Sequence, residues 1–576
     1  MGTHPVALYE AVQRDVNRYL DTDFTVRGAG FASIKHFSAN YLLSNVVRKW
    51  IPKDSRDADR AARDAFTAAN NSCLGWGWKP ERMLDDYLLG ETRKVIDNFL
   101  HPFGDPLVST RFDLLRSMRP GPGVNVGSTG TSFYSKYFSS PLTTTSLCLY
   151  EEYKSYCEWI PYLSEAESIR YDKFGLPTVV NGSRCSFVPK TSATSRMICV
   201  EPSLNMLFQL GLARLLEDRL KSFFKIDLST QPLVNHRLAR QGSIDGDFVT
   251  IDLSSASDSI SLRLCEMLFP KWFFELLLSL RSHTTEIDKK RVPLYMMSTM
   301  GNGFTFPLQT LIFSSILQAA VNLDGGSHAS GDWSCFGDDL ICRKSVFPKV
   351  SRLLSLFGFR MNERKTFFEG TFRESCGADW FCGQPVRPVF VKSLDTPFDI
   401  FVAINQLNKW SSYTGIPLWN TIHFLFGLLS KGFHTFVPLD SAEDEGIQVP
   451  LCYLRSRRFD GNKAFLFKSW ARRPSRVRIL DGEVRLPSRY KGSWMFNPPG
   501  LYASFLFGEL VSYTIMVRHS LKLYKKKLRC CPYWDGIPRY EFSEGRIKPR
   551  SSWYNGIQLE WTRWETAALA NLPEPP

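Results

Sequence analysis

Residues 334–336 and 340–342 are short apolar runs on either side of Gly337-Asp338-Asp339, and this stretch narrows the choice of fold more than any other. Gly and Asp at a tight connection between two such runs predict a β-hairpin. A lone Gly-Asp-Asp is ordinarily a simple turn in which Asp bonds the nearby backbone. Here the flanks add a constraint. Hydrophobic strands on both sides would hold two adjacent carboxylates rigidly at the edge of a core.

A second source of carboxylates is Asp252-Leu253-Ser254-Ser255-Ala256-Ser257-Asp258, which starts at the end of the β-type run 248–253. An amphipathic helical pattern (Ile260, Leu264, Met267, Leu268) comes next, and Pro270 interrupts it. Helix capping by Ser257 or Asp258 is the ordinary reading of such a turn. It accounts for Asp258 more easily than for Asp252, which lies in a run where carboxylates are disfavoured. Asp252, Asp338 and Asp339 are therefore expected to converge on neighbouring strand ends. Three close carboxylates raise one another's pKa unless cations neutralise them. Hard divalent ions with oxygen ligands suit such a site, Mg²⁺ above all, with Mn²⁺ as its substitute. Two ions about 3.5–4 Å apart clamp the attacking and leaving oxygens of an in-line phosphoryl displacement. The chemistry implied is nucleotidyl transfer, in which a 3′-hydroxyl attacks and pyrophosphate departs.

Such a reaction also needs cations for the triphosphate and a partner for the ribose. Lys190 and Arg196 lie in a turn-rich segment between apolar runs, where ordinary surface charge is the alternative reading. Lys365, in Asn362-Glu363-Arg364-Lys365-Thr366, is a candidate proton donor to the leaving pyrophosphate. Ser298, Gly301, Asn302 and Thr305 belong to a polar, Gly-containing loop able to approach a nucleotide closely. Pro307 then suits the first turn of a helix carrying Leu308, Leu311, Ile312 and Ile316.

Composition bounds the partners. Of 576 residues, 44% are hydrophobic and 22% charged, which is globular. Residues 451–550 hold 22 Lys/Arg against 7 Asp/Glu, so this one region carries essentially all of the net charge of +14. That excess attracts polyanions, although a solvated basic surface is the bland alternative. Thirteen cysteines without paired CxxC spacing argue for reduced thiols rather than zinc. Residues 1–20 lack a signal pattern, and the apolar stretches 418–436 and 500–517 contain charged or His residues, so both are expected as buried helices. No membrane partner is expected. There is no GxxxxGK[ST] run, which excludes a P-loop ATPase.

The segments Asp252-Leu-Ser-Ser-Ala-Ser-Asp258, Ser298-Thr-Met-Gly-Asn-Gly-Phe-Thr305, Phe336-Gly-Asp-Asp339 and Phe372-Arg-Glu-Ser-Cys-Gly377 resemble, in this order, the palm motifs of viral RNA-dependent RNA polymerases. So does the stretch from Pro189-Lys190 through Arg196 to Glu201-Pro202, with Asn205-Met-Leu-Phe-Gln-Leu210 behind it. The resemblance is strongest to levivirus (RNA bacteriophage) replicase β subunits of the Qβ type and is specific over about residues 183–380. It implies an α+β, right-hand polymerase fold with an antiparallel-sheet palm carrying the Gly-Asp-Asp hairpin. Residues 1–240 would form the N-terminal region and fingers, 241–395 the palm, and 396–576 the thumb and basic C-terminal region. Asp252, Asp338 and Asp339 would be Mg²⁺ ligands, and Lys190 and Arg196 would meet the NTP phosphates. Asp258, Ser298 and Thr305 would monitor the ribose, and Lys365 would be the general acid. Gln309 stands where many viral polymerases have an Asn for ribose selection. Template RNA, NTPs, host translation elongation factors Tu and Ts and a small-subunit ribosomal protein are the partners implied, in the cytoplasm of a bacterial host. A reverse transcriptase-like polymerase is the nearest rival, and Gly337 with the polar run after Asp252 weighs against it. A basic RNA-binding structural phage protein is the other, and it gives no reason for an acidic hairpin tip.

Overall fold

The computed structural model describes residues 5–450, except 22–23, 27–32, 53, 129 and 326–330. Beyond residue 450 it describes 464–472, 478–480, 483–485, 497–507, 510–511, 514–515, 524–532, 540–543, 546–549 and 571. Much of the basic stretch 451–550 therefore lies outside the described residues. The fold is mixed α and β. Its main helices are α1 (Pro5–Val16), α2 (Ile34–Asn45), α3 (Arg56–Gly75), α4 (Ser203–Phe223), α5 (Gln231–Asp245), α6 (Thr305–Asn322), α7 (Pro397–Thr414) and α8 (Trp419–Gly427). The strands around the acidic hairpin are β1 (Ser183–Pro189), β2 (Ser195–Val200), β3 (Phe248–Ile251), β4 (Leu253–Ser254), β5 (Trp333–Phe336), β6 (Asp339–Arg343), β7 (Arg360–Met361), β8 (Phe372–Ser375) and β9 (Ala378–Phe381).

The hairpin forms where the residue pattern places it. β5 and β6 pair antiparallel with Asp339 opposite Phe336, and β6 pairs antiparallel with β3, giving the sheet order β3-β6-β5. All four residues of β3 are buried, as a strand covered on both faces requires. One cover is α6, which packs on β5 and is buried on nearly every side. A helix apolar on all faces belongs inside a large core. Two of its buried hydroxyls are satisfied locally, Thr310 bonding the Phe306 carbonyl and Ser315 the Leu311 carbonyl, both at 2.8 Å. On the other side, α5 packs closely on β3, and a Cβ at Gly242 would come within 2.6 Å of the Phe248 carbonyl oxygen.

A second core joins distant parts of the chain. Leu8, Val12 and Val16 of α1 and Leu42 and Val46 pack with Ile404 and Leu407 of α7 and Ile422 and Leu425 of α8. Asp15 caps α8 from outside, accepting from the backbone N–H groups of Asn420 (2.9 Å) and Thr421 (2.8 Å). These are donors that a helix start leaves without partners.

Three local expectations are corrected. The helix expected over 418–436 is only nine residues, Trp419–Gly427, and the chain continues into a strand, Phe436–Pro438. The stretch 500–517 is helical only within Pro498–Leu506, with short strands at Leu510–Val511 and Thr514–Ile515. Neither Ser257 nor Asp258 caps the next helix: Ser257–Ser259 forms a 3₁₀ turn, and Ser261 caps Leu262–Leu268 by accepting from Leu264 N–H at 3.0 Å. The extra turn moves the helix start on and frees Asp258 to point inward. No helix among the described residues is long and apolar enough to cross a membrane.

Candidate active site

Asp338 and Asp339 sit where β5 turns into β6, and the turn depends on Gly337. Its φ is +62°, a left-handed conformation that side chains with a Cβ disfavour. A Cβ there would also collide with the Phe306 ring and approach Gln309 Nε2 at 2.8 Å. α6 thus forms the floor under the tip. Thr310 Oγ1 accepts from Gly337 N–H at 3.2 Å, and the Phe306 and Phe336 rings meet edge to face at 4.8 Å. From behind, Asn235 of α5 donates to the Asp339 carbonyl (3.3 Å) and to Ser375 Oγ (3.0 Å), and it accepts from Ser334 Oγ.

The register brings in Asp252. Leu340 pairs with Ile251, so continuing the ladder by one position sets Asp252 across from Asp339. Asp252 is fixed from its other side as well. Asn362 N–H donates to its carbonyl at 2.8 Å, and Asn362 Nδ2 donates to its Oδ2 at 2.8 Å. Just beyond it, β4 pairs with β7. Asp338 and Asp339 both feel the charge of Asp252. Burial pushes Asp338 above the usual carboxylate range, with a further push from the charge of Asp252. Burial and then the charges of Asp338, Asp252 and Glu374 push Asp339 up to about 6, against a backbone N–H bond from Cys376.

Cations stand around this cluster. Lys365 Nζ lies 3.6 Å from Asp252 Oδ1 and 3.8 Å from Glu374 Oε1. Burial lowers its pKa, but Glu374, Asp252 and Asp339 outweigh that, and it ends above the ordinary lysine value. Lys190 follows β1, and burial together with Arg196 and Lys365 pulls its pKa down, while Asp252 and Asp338 act the other way. Arg196 is on β2, paired to Val188 across the β1–β2 hairpin. The structure thus brings Asp252, Asp338, Asp339, Lys365 and Lys190 within electrostatic reach, with Arg196 next to Lys190.

Asp258 belongs to a different group. It is buried, which pushes it up to about 6, and it accepts from Met300 N–H at 3.3 Å. The loop it holds is the polar one singled out in the sequence, but two of its side chains serve the loop itself. Asn302 Oδ1 accepts from Thr299 N–H (2.8 Å) and Oγ1 (2.7 Å), and Thr305 Oγ1 donates to the Thr299 carbonyl at 2.8 Å. Gly301, at φ +127°, lets the loop lie against the Cys199 backbone of β2, where a Cβ would collide. Cys199 N–H then donates to the Met300 carbonyl at 2.8 Å. Ser298 Oγ is the exception: it is buried with no hydrogen-bond partner among the described residues.

Glu201 and Gln209 lie in the stretches that carry the resemblance, but the residue pattern assigns them no role in the network behind this loop. Gln209 of α4 accepts from Gly303 N–H at 2.9 Å and donates to Glu201 Oε2 at 3.2 Å, and Ser282 Oγ donates to the same oxygen at 2.8 Å. Burial pushes Glu201 up to about 7. A buried carboxyl that keeps its proton longer than in the unfolded chain makes the native state the better proton binder, so stability falls as pH rises from about 4.5 to about 7. Glu201→Gln is expected to flatten that part of the stability–pH curve, removing up to about 3 kcal/mol of variation. Urea melts of both proteins across this range check it, and parallel curves would refute it.

Oxygen-only donors in a partly buried, mutually repelling group suit a hard divalent cation by type. The trio is not a ready-made cage, however. Among the described residues no group of three His, Cys, Asp or Glu side chains is placed to hold an ion, and Asn362 and Lys365 engage the Asp252 oxygens instead.

An acidic hairpin tip ringed by lysines, on a mixed α and β fold, is the class of site these residues define. The chain matches the family described as RNA replicase, beta-chain over residues 140–431, more than half its length, and belongs to that family. It is 38% identical over 282 residues to the RNA-directed RNA polymerase beta chain of Escherichia phage MS2, covering 49% of this chain and 50% of that one. To the RNA-directed RNA polymerase subunit beta of Escherichia virus Qbeta it is 41% identical over 234 residues, covering 40% and 38%. The chain thus spans about half or less of the length of these relatives. Among solved structures, the RNA-dependent RNA polymerase of bacteriophage phi12 aligns over 73% of this chain and 76% of its own at 12% identity, with a TM-score of 0.34, too low to establish a shared fold.

Proposed function

We propose that this chain is an RNA-dependent RNA polymerase that replicates a positive-strand RNA phage genome, adding ribonucleoside monophosphates to a growing 3′ end and releasing pyrophosphate. The observation that carries it is that the charge of Asp252 acts on both hairpin carboxylates, Asp338 and Asp339, beside Lys365 and Lys190. Family membership supports the same reading. In it the β3-β6-β5 sheet is the palm, within residues 241–395, with fingers in 1–240 and thumb in 396–576. The second core, which joins α1 and α2 to α7 and α8, would tie the thumb back to the N-terminus.

Asp252, Asp338 and Asp339 would hold two Mg²⁺ ions, which when bound supply charge neutralisation and activation of the 3′-hydroxyl. The protein's own groups do the rest. Lys190 and Arg196 bind the triphosphate, and Ser298, in the loop at 298–305 held by Asp258, is the ribose contact, its buried hydroxyl being without a partner among the described residues. Lys365, kept protonated by Glu374, Asp252 and Asp339, donates a proton to the departing pyrophosphate. Template RNA and NTPs are the substrates in this reading. Host elongation factors Tu and Ts and a small-subunit ribosomal protein are the proposed partners, in the bacterial cytoplasm.

The test is incorporation of labelled NTPs on RNA and DNA templates with Mg²⁺, with and without those host factors. RNA-templated incorporation of NTPs in preference to dNTPs is expected. Preference for dNTPs would make the chain a reverse transcriptase, and RNA binding without incorporation in any metal would make it a structural RNA-binding protein.

A further inference from the structure

Gln209 of α4 is fully buried, and its amide is used at both ends. Its Oε1 accepts from Gly303 N–H at 2.9 Å, and its Nε2 donates to the Leu280 carbonyl at 2.9 Å and to Glu201 Oε2 at 3.2 Å. The local structure explains these partners. Leu280 ends the helix Lys271–Leu280, so its carbonyl has no partner within that helix. Asn205 and Gln209 lie one turn apart on α4 and both donate to it, Asn205 at 3.1 Å. The amide cannot be reversed, because Nε2 would then face Gly303 N–H, donor against donor. Gly303 itself lies hard against α4: a Cβ there would stand 3.0 Å from Gln209 Cβ and from Leu210 N.

These contacts bracket the loop at 298–305. Just before it, Arg281, itself buried, donates to the Leu294 and Met296 carbonyls, both at 3.0 Å. In its middle, Asp258 and Cys199 hold the two sides of Met300. Towards its end, Gln209 holds Gly303. Glu201 joins the two ends, since one of its oxygens takes both Gln209 Nε2 and the hydroxyl of Ser282, the residue after Arg281. Glu201 also directly follows β2, the strand of Arg196. One buried network therefore ties the loop of Ser298 to the hairpin that carries Lys190 and Arg196.

A buried amide is a costly way to fill space, and an aliphatic side chain of similar length would pack there without needing partners. What the amide adds is direction. It gives Gly303 N–H one fixed acceptor, and so fixes where the loop stands relative to α4.

We propose that Gln209 is a positioning residue for sugar selection: by holding Gly303 it sets the loop so that the Ser298 hydroxyl meets the ribose 2′-hydroxyl. The proposal rests on the polymerase reading, in which this loop faces the ribose. Gln209 touches no substrate and acts through Gly303.

The test is single-nucleotide incorporation by the full chain on a primed RNA template, with each NTP and its dNTP run on the same preparation. Gln209→Met keeps the length and the apolar packing and removes the acceptor from Gly303. It is expected to lower kcat/KM for NTPs about tenfold, mainly through KM, and for dNTPs less than about twofold. A sugar without a 2′-hydroxyl makes no use of the bond that is lost. The preference for NTPs therefore narrows about five- to tenfold. Any unfolded fraction lowers both rates alike and cancels in the ratio. The exchanged pair E201Q/Q209E restores an acceptor for Gly303 and a hydrogen bond between positions 201 and 209, and the Ser282 hydroxyl can accept as well as donate. It is expected to return the preference to within about threefold of wild type. Hydrogen exchange in peptides covering 298–305 should quicken in Q209M and slow again in the pair. Equal losses for NTPs and dNTPs in Q209M, unchanged exchange over 298–305, or a pair as poor as Q209M overturns the proposal and leaves the polymerase reading standing. A wild-type chain that incorporates neither kind of nucleotide overturns both.

Discussion

Asp338→Asn is expected to lower RNA-templated nucleotide incorporation by on the order of a thousandfold or more, with the melting temperature unchanged or raised. The two effects share a cause. Burial and the Asp252 charge already push the Asp338 carboxyl upward, more than Lys190 and Lys365 hold it down, so its ionised form is a net cost to the folded protein. An amide of the same shape relieves that repulsion and removes a negative oxygen from the reacting site. Single-turnover incorporation on a primed RNA template, with thermal melts of both proteins, measures the pair of effects. Incorporation within a few-fold of wild type would remove Asp338 from the chemistry. A large fall in melting temperature would show instead that the carboxylate is a structural element of the turn.

The largest expected effect on stability belongs to Gly337→Ala. A residue with a Cβ held at φ +62° costs about 1–2 kcal/mol, and overpacking against Phe306 and Gln309 adds about 1–3 kcal/mol. The sum, about 2–5 kcal/mol, is large for one methyl group, and it arises because Gly337 is buried against α6. Activity should fall as well, because the turn cannot relax without moving both adjacent carboxylates. Adding Phe306→Leu should recover part of the packing loss and none of the backbone cost, so denaturant melts of the single and double variants separate the two. A change under about 0.5 kcal/mol for Gly337→Ala, the size of an ordinary surface substitution, would mean that the tip is not seated on α6 as described.

Much of the site was legible because it is local. Apolar runs around Gly337-Asp338-Asp339 report a hairpin whatever lies elsewhere, and Asp252 at the end of a β-type run reports a carboxylate on a strand end. What could not be read is what depends on distant pairing. Nothing in the residues near Asp252 says that Leu340 pairs with Ile251, and that pairing is what sets Asp252 across from Asp339. The same holds for Glu374, which reaches Lys365 only because β8 lies alongside, and for Asn235, which braces the hairpin from α5. Polar residues in the loop at 298–305 read as ligand contacts, yet Asn302 and Thr305 close the loop on itself. A side chain that satisfies its own backbone and one that awaits a ligand have the same composition. The short helix at Trp419–Gly427 was overestimated for a related reason, since an apolar run does not reveal where it changes from helix to strand.

Tyr41 donates its hydroxyl to Asp379 at 3.2 Å, and its neighbour Phe37 stacks on Phe381 at 4.3 Å. On the ribosome these residues emerge more than three hundred positions before their partners, and Leu8 and Val12 wait longer still for Ile422 and Leu425. A nascent chain stalled or cleaved anywhere before about residue 430 therefore exposes a greasy leading end with nothing to cover it. Truncated translation products of this protein should depend on chaperones or be degraded, and fragments expressed separately should recover solubility only when both ends are supplied together.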